Sequence, residues 1–83
     1  MRQNNALLSN LDKLHTTDLG VGRIRNNLGL DTEDVVSWCK KKILSPTCSI
    51  TRVGKNWYAS EDGCIITINA HSYTIITAHR SKE

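Results

Sequence analysis

The first half of the chain repeats its hydrophobic residues at helical spacing, beginning with Leu7, Leu11 and Leu14 at i, i+4 and i+7. This pattern predicts three helices. The first covers residues 4–14, the second continues to about Asn27, and the third begins near Asp31 and ends before Ser45-Pro46.

Polar residues and a glycine mark the predicted helix ends. Thr16 or Thr17 is expected to be the N-cap of the second helix, because hydroxyl oxygens accept the unpaired N–H groups of a first turn. Gly29 is a favourable C-terminal stop for the same helix. Asp31 is expected to cap the third helix.

The second half of the chain changes to a period of two, which is typical of strands. Four strands are predicted, at residues 48–53, 56–60, 64–69 and 73–79. Their short connections require antiparallel neighbours, and therefore a meander. We predict one α+β domain over residues 1–83, in which three helices from segment 1–45 pack on one face of a four-stranded antiparallel sheet from segment 46–80.

The last two strands also allow a prediction of register. A two-residue loop at Ala70-His71 places most of the apolar side chains on one face, through the pairs Ile68–Tyr73, Ile66–Ile75 and Cys64–Thr77. The opposite face is then predicted to carry Thr67, Asn69, Ser72, Thr74 and Arg80, interrupted by Ile65 and Ile76.

Composition fits one small folded domain: 83 residues, 9.3 kDa, 39% hydrophobic and 23% charged. No apolar run approaches the roughly 20 residues needed to cross a bilayer. The N-terminus lacks the apolar stretch of a signal peptide. We therefore expect a cytoplasmic protein without a membrane partner.

Charge is concentrated in the second half of the chain. Residues 1–38 carry four Lys and Arg against five Asp and Glu, whereas residues 39–83 carry seven against three. A basic segment favours anionic partners such as RNA, although ordinary solubility also explains a net charge of +3.

Three cysteines, Cys39, Cys48 and Cys64, show no spacing typical of a disulfide framework or a zinc site. We predict buried free thiols, and neither a metal nor another cofactor.

Candidate ligand-binding residues lie in the turns and on the polar sheet face. Lys55 follows Gly54 in a tight turn and is suited to contact a phosphate, and Trp57 or Tyr58 beside it is suited to stack on a base. A surface turn lysine with core aromatics behind it explains the same residues. We add Asn69 and Ser72 from the polar face, and Arg23, which lies close to the first helix junction.

Candidate catalytic residues are His15, Thr77 and His79. Histidine titrates near neutrality, and Thr77 shares a strand face with His79. If the helix junction packs over the end of the last strand, these side chains converge. They then provide the acid, base and donor of metal-independent RNA cleavage.

Three segments carry a resemblance that covers nearly the whole chain: Leu14–Thr17, Gly54–Tyr58 and Asn69–His79. They resemble the signature blocks of a small, uncharacterised bacterial family of unknown function, which implies no activity. The segment Thr74–His79 also resembles the end of the barnase/EndoU/colicin/RelE-like ribonuclease toxins. That resemblance implies active-site roles for Thr77 and His79, joined by His15, whereas no glutamate falls within the four predicted strands, where a barnase-like base would lie.

Three functions follow as hypotheses. The first is a metal-independent endoribonuclease that uses the two histidines. The second is a non-catalytic module that binds RNA or another anion through Lys55, Arg52 and the polar face. The third is an inhibitor or regulator that binds a cognate protein through Ile65, Ile76 or an edge strand. The sequence leaves the oligomeric state open.

Overall fold

The computed structural model describes residues 6–32 and 34–81. Its helices are α1 (Ala6–Ser9), α2 (Asp18–Leu28) and α3 (Val35–Leu44), with a 3-10 turn at Leu11–Lys13 after α1. Its strands are β1 (Ser49–Val53), β2 (Asn56–Glu61), β3 (Cys64–Asn69) and β4 (Ile75–Arg80), in the spatial order β1-β2-β3-β4. All three strand pairs are antiparallel, which confirms the predicted α+β fold with a meander sheet.

The first helix is shorter than predicted. The side-chain amide of Asn10 donates to the carbonyl of Ala6 at 2.9 Å, and the backbone of Asn10 leaves the helical region with φ −126° and ψ 30°. A side chain that binds the backbone in this way competes with helix continuation. The predicted residues 4 and 5 lie outside the described part of the chain.

The ends of α2 confirm the predicted caps. Thr17 accepts from the backbone N–H of Gly20 at 3.0 Å, and Gly29 closes the helix with φ 65°. Gly20 also permits a close approach, since a Cβ at that position would overlap Thr16 Oγ1. The hydroxyl of Thr16 in turn donates to the carbonyl of Ile75 at 2.8 Å, which ties the start of α2 to β4.

The predicted cap of the third helix is wrong. Asp34, not Asp31, is the N-cap of α3, and its carboxylate accepts from the backbone N–H of Ser37 at 3.1 Å. Thr32 Oγ1 accepts from the N–H of Asp34 at 3.0 Å, and neither Thr32 nor Asp34 is helical, so α3 begins later than the sequence pattern suggests.

The predicted pairing of β3 with β4 is also wrong. Asn69 Oδ1 accepts from the N–H groups of His71 and Ser72, and a longer loop follows in which Tyr73 has φ 60°. Ile68 then pairs with Ile75, and the register shifts at the next position because one extra residue is inserted in β4. Thr67 therefore faces Thr77, and the remaining pairs are Ile66–Ala78, Ile65–His79 and Cys64–Arg80.

The hydrophobic core lies between the helices and one face of the sheet. The helices contribute Leu7, Ile24, Leu28, Val35, Cys39 and Ile43, and the sheet contributes Trp57, Ala59, Cys64, Ile66, Ile68, Ile75 and Ala78. We call the opposite face of the sheet, to which the alternate residues point, the outer face. Within residues 6–32 and 34–81, no helix is long and apolar enough to span a bilayer.

Candidate nucleic-acid interface

The outer face carries mostly polar side chains, with the apolar Val53 and Ile65 among them, arranged in rows across the strands. Its central row contains the hydroxyl-bearing residues Thr51, Tyr58, Thr67 and Thr77. On one side of this row lie Ser49, Ser60, Ile65 and His79, and on the other lie Val53, Asn56 and Asn69.

No carboxylate projects from this face among the described strand residues. Glu61 is the one acidic residue in the four strands, and it pairs with Cys64, whose side chain is buried on the helix side. Ser45 and Thr47 donate their hydroxyls to the Glu61 carboxylate at 2.7 and 2.8 Å. Its described strand positions therefore carry hydroxyl and amide groups, the imidazole of His79 and the apolar side chains of Val53 and Ile65, but no carboxylate.

His15 lies at the outer edge of β4, next to Thr74. Its backbone forms a short parallel bridge there: the N–H of His15 donates to the carbonyl of Tyr73, and the N–H of Ile75 donates to the carbonyl of His15. The ring bonds Lys13 O through Nδ1 at 2.9 Å and Thr74 Oγ1 through Nε2 at 3.0 Å. Because a carbonyl oxygen only accepts, Nδ1 carries a proton, and in the neutral ring Nε2 accepts from Thr74.

Two predicted ligand-binding residues belong to the same hydrogen-bonded chain. The hydroxyls of Ser72 and Thr74 are 2.7 Å apart, and Ser72 Oγ also lies 3.2 Å from Asn69 Oδ1. These hydrogen bonds, which run from Asn69 through Ser72 and Thr74 to His15, therefore hold the β3–β4 loop against the N-terminal segment. The sequence pattern predicts Thr74 on the polar face but not its contact with His15, because that contact joins residues 59 positions apart.

Thr77 and Arg23 lie on the β4 side of the outer face. The side-chain amide of Asn27 on α2 donates to Thr77 Oγ1 and to the carbonyl of Ala78, both at 3.3 Å. Arg23 is exposed one helical turn before Asn27, hence on the same side of α2. Asn27 was missed because nothing in the sequence shows which side of α2 faces β4.

The structure does not bring His15 and His79 into one cleft. His15 contacts Thr74, whose carbonyl accepts a hydrogen bond from Asn69 of β3. His79 pairs instead with Ile65, which lies four residues before Asn69 on β3. At about 3.3 Å per residue, the two rows are about 13 Å apart, with Thr77 between them. His79 is exposed, and its Nδ1 bonds its neighbour's carbonyl, Arg80 O, at 3.0 Å.

Lys55 and Trp57 occupy different environments. Lys55 is exposed in the β1–β2 turn, and its carbonyl accepts from the N–H of Ala70, which joins this turn to the β3–β4 loop. Trp57 is only 5% exposed and packs in the core. Of the two aromatic candidates, Tyr58 is the one on the outer face; it is half-buried, and its hydroxyl lies 3.4 Å from the side-chain amide of Asn56.

Two aromatic rings and two cations lie together at the same end of the sheet. The ring centroids of Trp57 and Tyr73 are 5.4 Å apart, and the ring planes are tilted by 42°. Lys13 Nζ lies 5.6 Å from the Tyr73 ring, and Arg52 Cζ lies 5.6 Å from the Trp57 ring. We call Lys13, Arg52 and Lys55 the basic end. Sequence analysis identified two of the three, and missed Lys13 because it comes from the N-terminal segment.

The three cysteines are free thiols, as predicted, but only Cys39 and Cys64 are buried, whereas Cys48 is half-buried. Burial, and secondarily the neighbouring Cys64, raises the pKa of Cys39 to about 12. Burial, and secondarily Glu61, also raises the pKa of Cys48. Thiols held in the protonated form are poor metal ligands, and the described residues contain no group of three His, Cys, Asp or Glu side chains that could hold a metal ion.

Comparison with known proteins identifies one family. A model described as "Protein of unknown function (DUF3781)" matches residues 8–79. This match confirms the resemblance to a small domain of unknown function, whereas the resemblance to ribonuclease toxins finds no support. No curated protein and no solved structure matches the chain.

Proposed function

Since this chain belongs to the DUF3781 family, whose function is not stated, we propose from the geometry of the site that it binds single-stranded RNA across its outer face. The observation that supports this proposal is a mostly polar, four-stranded face whose central row bears four hydroxyl groups, that of Tyr58 among them, and which has no carboxylate among its described residues. Binding does not require the two histidines to meet.

Tyr58 supplies the stacking surface. It is half-buried between Thr51 and Thr67, and its hydroxyl contacts the amide of Asn56. A ring held in this way stacks on a base, which contributes about 1–3 kcal/mol per base and tolerates any sequence. The surrounding hydroxyl groups are suited to base edges and to the ribose 2′-hydroxyl. A duplex keeps its bases stacked inside, so a surface of this kind favours a single strand.

The cations at the border supply the contacts to phosphates. Lys55 is exposed in the turn at one end of the sheet, where Lys13 lies over the Tyr73 ring and Arg52 over the Trp57 ring, and Arg23 is exposed on α2, one turn before Asn27. In the part of the chain that the structure describes, the one ion pair joins Lys42 to Asp62, in the turn that follows β2. The cations near the outer face are therefore not neutralised by a described carboxylate.

A salt titration tests the electrostatic part of this proposal. We expect the affinity for a short labelled single-stranded RNA to fall linearly, on logarithmic axes, as salt concentration rises. Lys55→Ala should reduce the slope by about 0.7, which is the contribution of one phosphate contact on a single strand. Lys41→Ala is the matched control, because Lys41 is exposed on α3, on the helix side of the sheet. An affinity that does not change with salt would contradict the proposal.

A substitution of Tyr58 tests the stacking part. We expect Tyr58→Ala to weaken RNA binding by about 1–3 kcal/mol, whereas Tyr58→Phe should retain most of the affinity because the ring is kept. Equal affinity of the alanine variant and the unchanged protein would show that no base stacks on this residue.

RNA cleavage is the second candidate, and one observation favours it. The three candidate residues lie in a line along β4: His15 contacts Thr74 just before the strand, and Thr77 and His79 follow on the strand itself. The imidazole of His15 lies beside the outer face, and that of His79 lies on it. Their separation of about 13 Å, measured between rows, argues against one phosphate being held by both rings. Incubation of labelled RNA in EDTA tests this candidate. Cleavage that is lost in His15→Ala and in His79→Ala supports it, and intact RNA together with salt-dependent binding leaves binding as the function.

A further inference from the structure

The two edges of the sheet differ in how their backbone groups are covered. Along β4, the segment at His15 bonds the carbonyl of Tyr73 and the N–H of Ile75, and side chains of Thr16 and Asn27 bond two further carbonyls. Strand β1 is paired on one side only, with β2. No described residue bonds its outer side.

The hairpin geometry shows which groups of β1 point outward. Val53 pairs with Asn56 across the two-residue turn Gly54-Lys55, and the residues that flank such a turn exchange their backbone bonds with each other. The N–H of Ala70 donates a hydrogen bond to the carbonyl of Lys55, so Lys55 directs its carbonyl towards β3. Because the direction alternates from one residue to the next, Asn56 directs its own backbone groups the other way, towards Val53. Because the direction alternates along a strand, Ile50 and Arg52 point their N–H and C=O groups away from the sheet.

Two of the usual devices that block an edge strand, a bulge and a proline, are absent from β1. Natural edges carry bulges, prolines or inward-pointing charges, but the register of β1 with β2 is regular over all five residues and contains no proline. Its one charged side chain, Arg52, is turned aside, since its Nε donates to the carbonyl of Gly54 at 2.9 Å and its guanidinium lies over Trp57. Val53, at the end of the strand, is 59% exposed.

We propose that β1 pairs antiparallel with β1 of a second copy of this chain, about a two-fold axis at Thr51. In this register Ile50 lies opposite the partner's Arg52, so the outward-pointing backbone groups of both strands meet and form closely spaced bond pairs. This arrangement pairs all five strand residues. A register centred on Arg52 would instead place two guanidinium groups opposite each other, which is destabilising.

Pairing at this edge joins the two sheets into one. The central row of the outer face then continues through Thr51 into the same row of the second copy. A strand pair of five residues buries less than the roughly 1,200 Å² of a stable specific complex, so the dimer is reversible and its population depends on concentration. The proposal concerns the edge of β1 and does not depend on RNA binding.

Sedimentation across a concentration series tests the dimer with two matched variants. The mass of the unchanged protein should rise from the 9.3 kDa monomer towards twice that value as concentration increases. Arg52→Pro removes the outward N–H but none of the bonds to β2, and should remain monomeric throughout. Arg52→Ala retains the N–H and should dimerise like the unchanged protein. Circular dichroism confirms that both variants are folded.

Hydrogen exchange supplies a second measurement that does not depend on a substitution. The amides of Ile50 and Arg52 should exchange more slowly at high than at low protein concentration, while the remaining amides of the sheet keep their rates. A protein that remains monomeric at every concentration, or an equal loss of association in both Arg52 variants, would overturn the proposal.

Discussion

Thr77 of β4 lies opposite Thr67 of β3, on the outer face of the sheet. An unbroken register from the pair Ile68–Ile75 would place Ile76 opposite Thr67 and would turn Thr77 towards the helices. The extra residue in β4 shifts all later residues by one position, which is the effect of a β-bulge. It therefore places Ala78 in the core, and Thr77 and His79 on the outer face.

Substitutions at two consecutive positions test this register. Ala78 is fully buried, so Ala78→Leu should overfill the core and lower the free energy of unfolding by about 1–3 kcal/mol. Thr77→Val loses the bond from Asn27 and should cost no more than about 1 kcal/mol. Urea denaturation measures both. The opposite order of costs would indicate that Thr77, and not Ala78, faces the helices.

Two aspartates distinguish the observed start of α3 from the one predicted from sequence. Asp34→Ala removes the acceptor for the N–H of Ser37 and should lower the free energy of unfolding by about 1 kcal/mol. Asp31→Ala removes no described bond and should change it by less than about 0.5 kcal/mol. Equal costs in thermal or urea unfolding would count against the assigned cap.

Alanine substitutions of the two glycines of α2 should change the stability of the protein in opposite directions. A Cβ at Gly22 meets nothing within 4 Å, so Gly22→Ala should stabilise the protein by about 0.5–1 kcal/mol through helix propensity. Gly20→Ala should destabilise it, because the new methyl group displaces the Thr16 hydroxyl that bonds the carbonyl of Ile75. Stabilisation by both substitutions would show that Thr16 does not require the space above Gly20.

Alkaline pH should unfold the protein through Cys39. Its pKa is raised from about 9 to about 12, so above pH 9 the unfolded chain releases a proton that the folded chain retains. The free energy of unfolding should therefore fall between pH 9 and pH 12, by up to about 1.4 kcal/mol per pH unit. Cys39→Ala should flatten this decline, although it lowers stability at neutral pH. A decline of the same steepness in that variant would assign the effect to other groups.

The sequence was sufficient to predict the class of fold, because hydrophobic spacing depends only on local periodicity. It also predicted an N-cap at Thr16 or Thr17 and a stop at Gly29; Thr17 and Gly29 are the caps observed, and their partners lie within the same helix. The errors occurred where a side chain competes with the backbone: Asn10 ends the first helix, and Asn69 lengthens the last hairpin loop. A bulge leaves no signature in a run of β-branched residues, so the outward turn of Thr77 was not predictable.

The candidate site was predicted in part for a similar reason. Asn69 and Ser72 lie within one loop, and their proximity follows from sequence spacing. The contact of His15 with Thr74 and that of Asn27 with Thr77 join distant segments, and depend on how the N-terminal segment and α2 pack along β4. The separation of His15 from His79 depends on the same packing.

The most direct test of the proposed function is a nuclear magnetic resonance titration of the labelled protein with single-stranded RNA at low salt. The account predicts shift changes concentrated on the outer face and its border, above all at Tyr58, Thr67, Thr77 and Lys55. Amides of the exposed side of α3 should remain unchanged. Changes confined to α3, or no changes at any RNA concentration, would contradict the account.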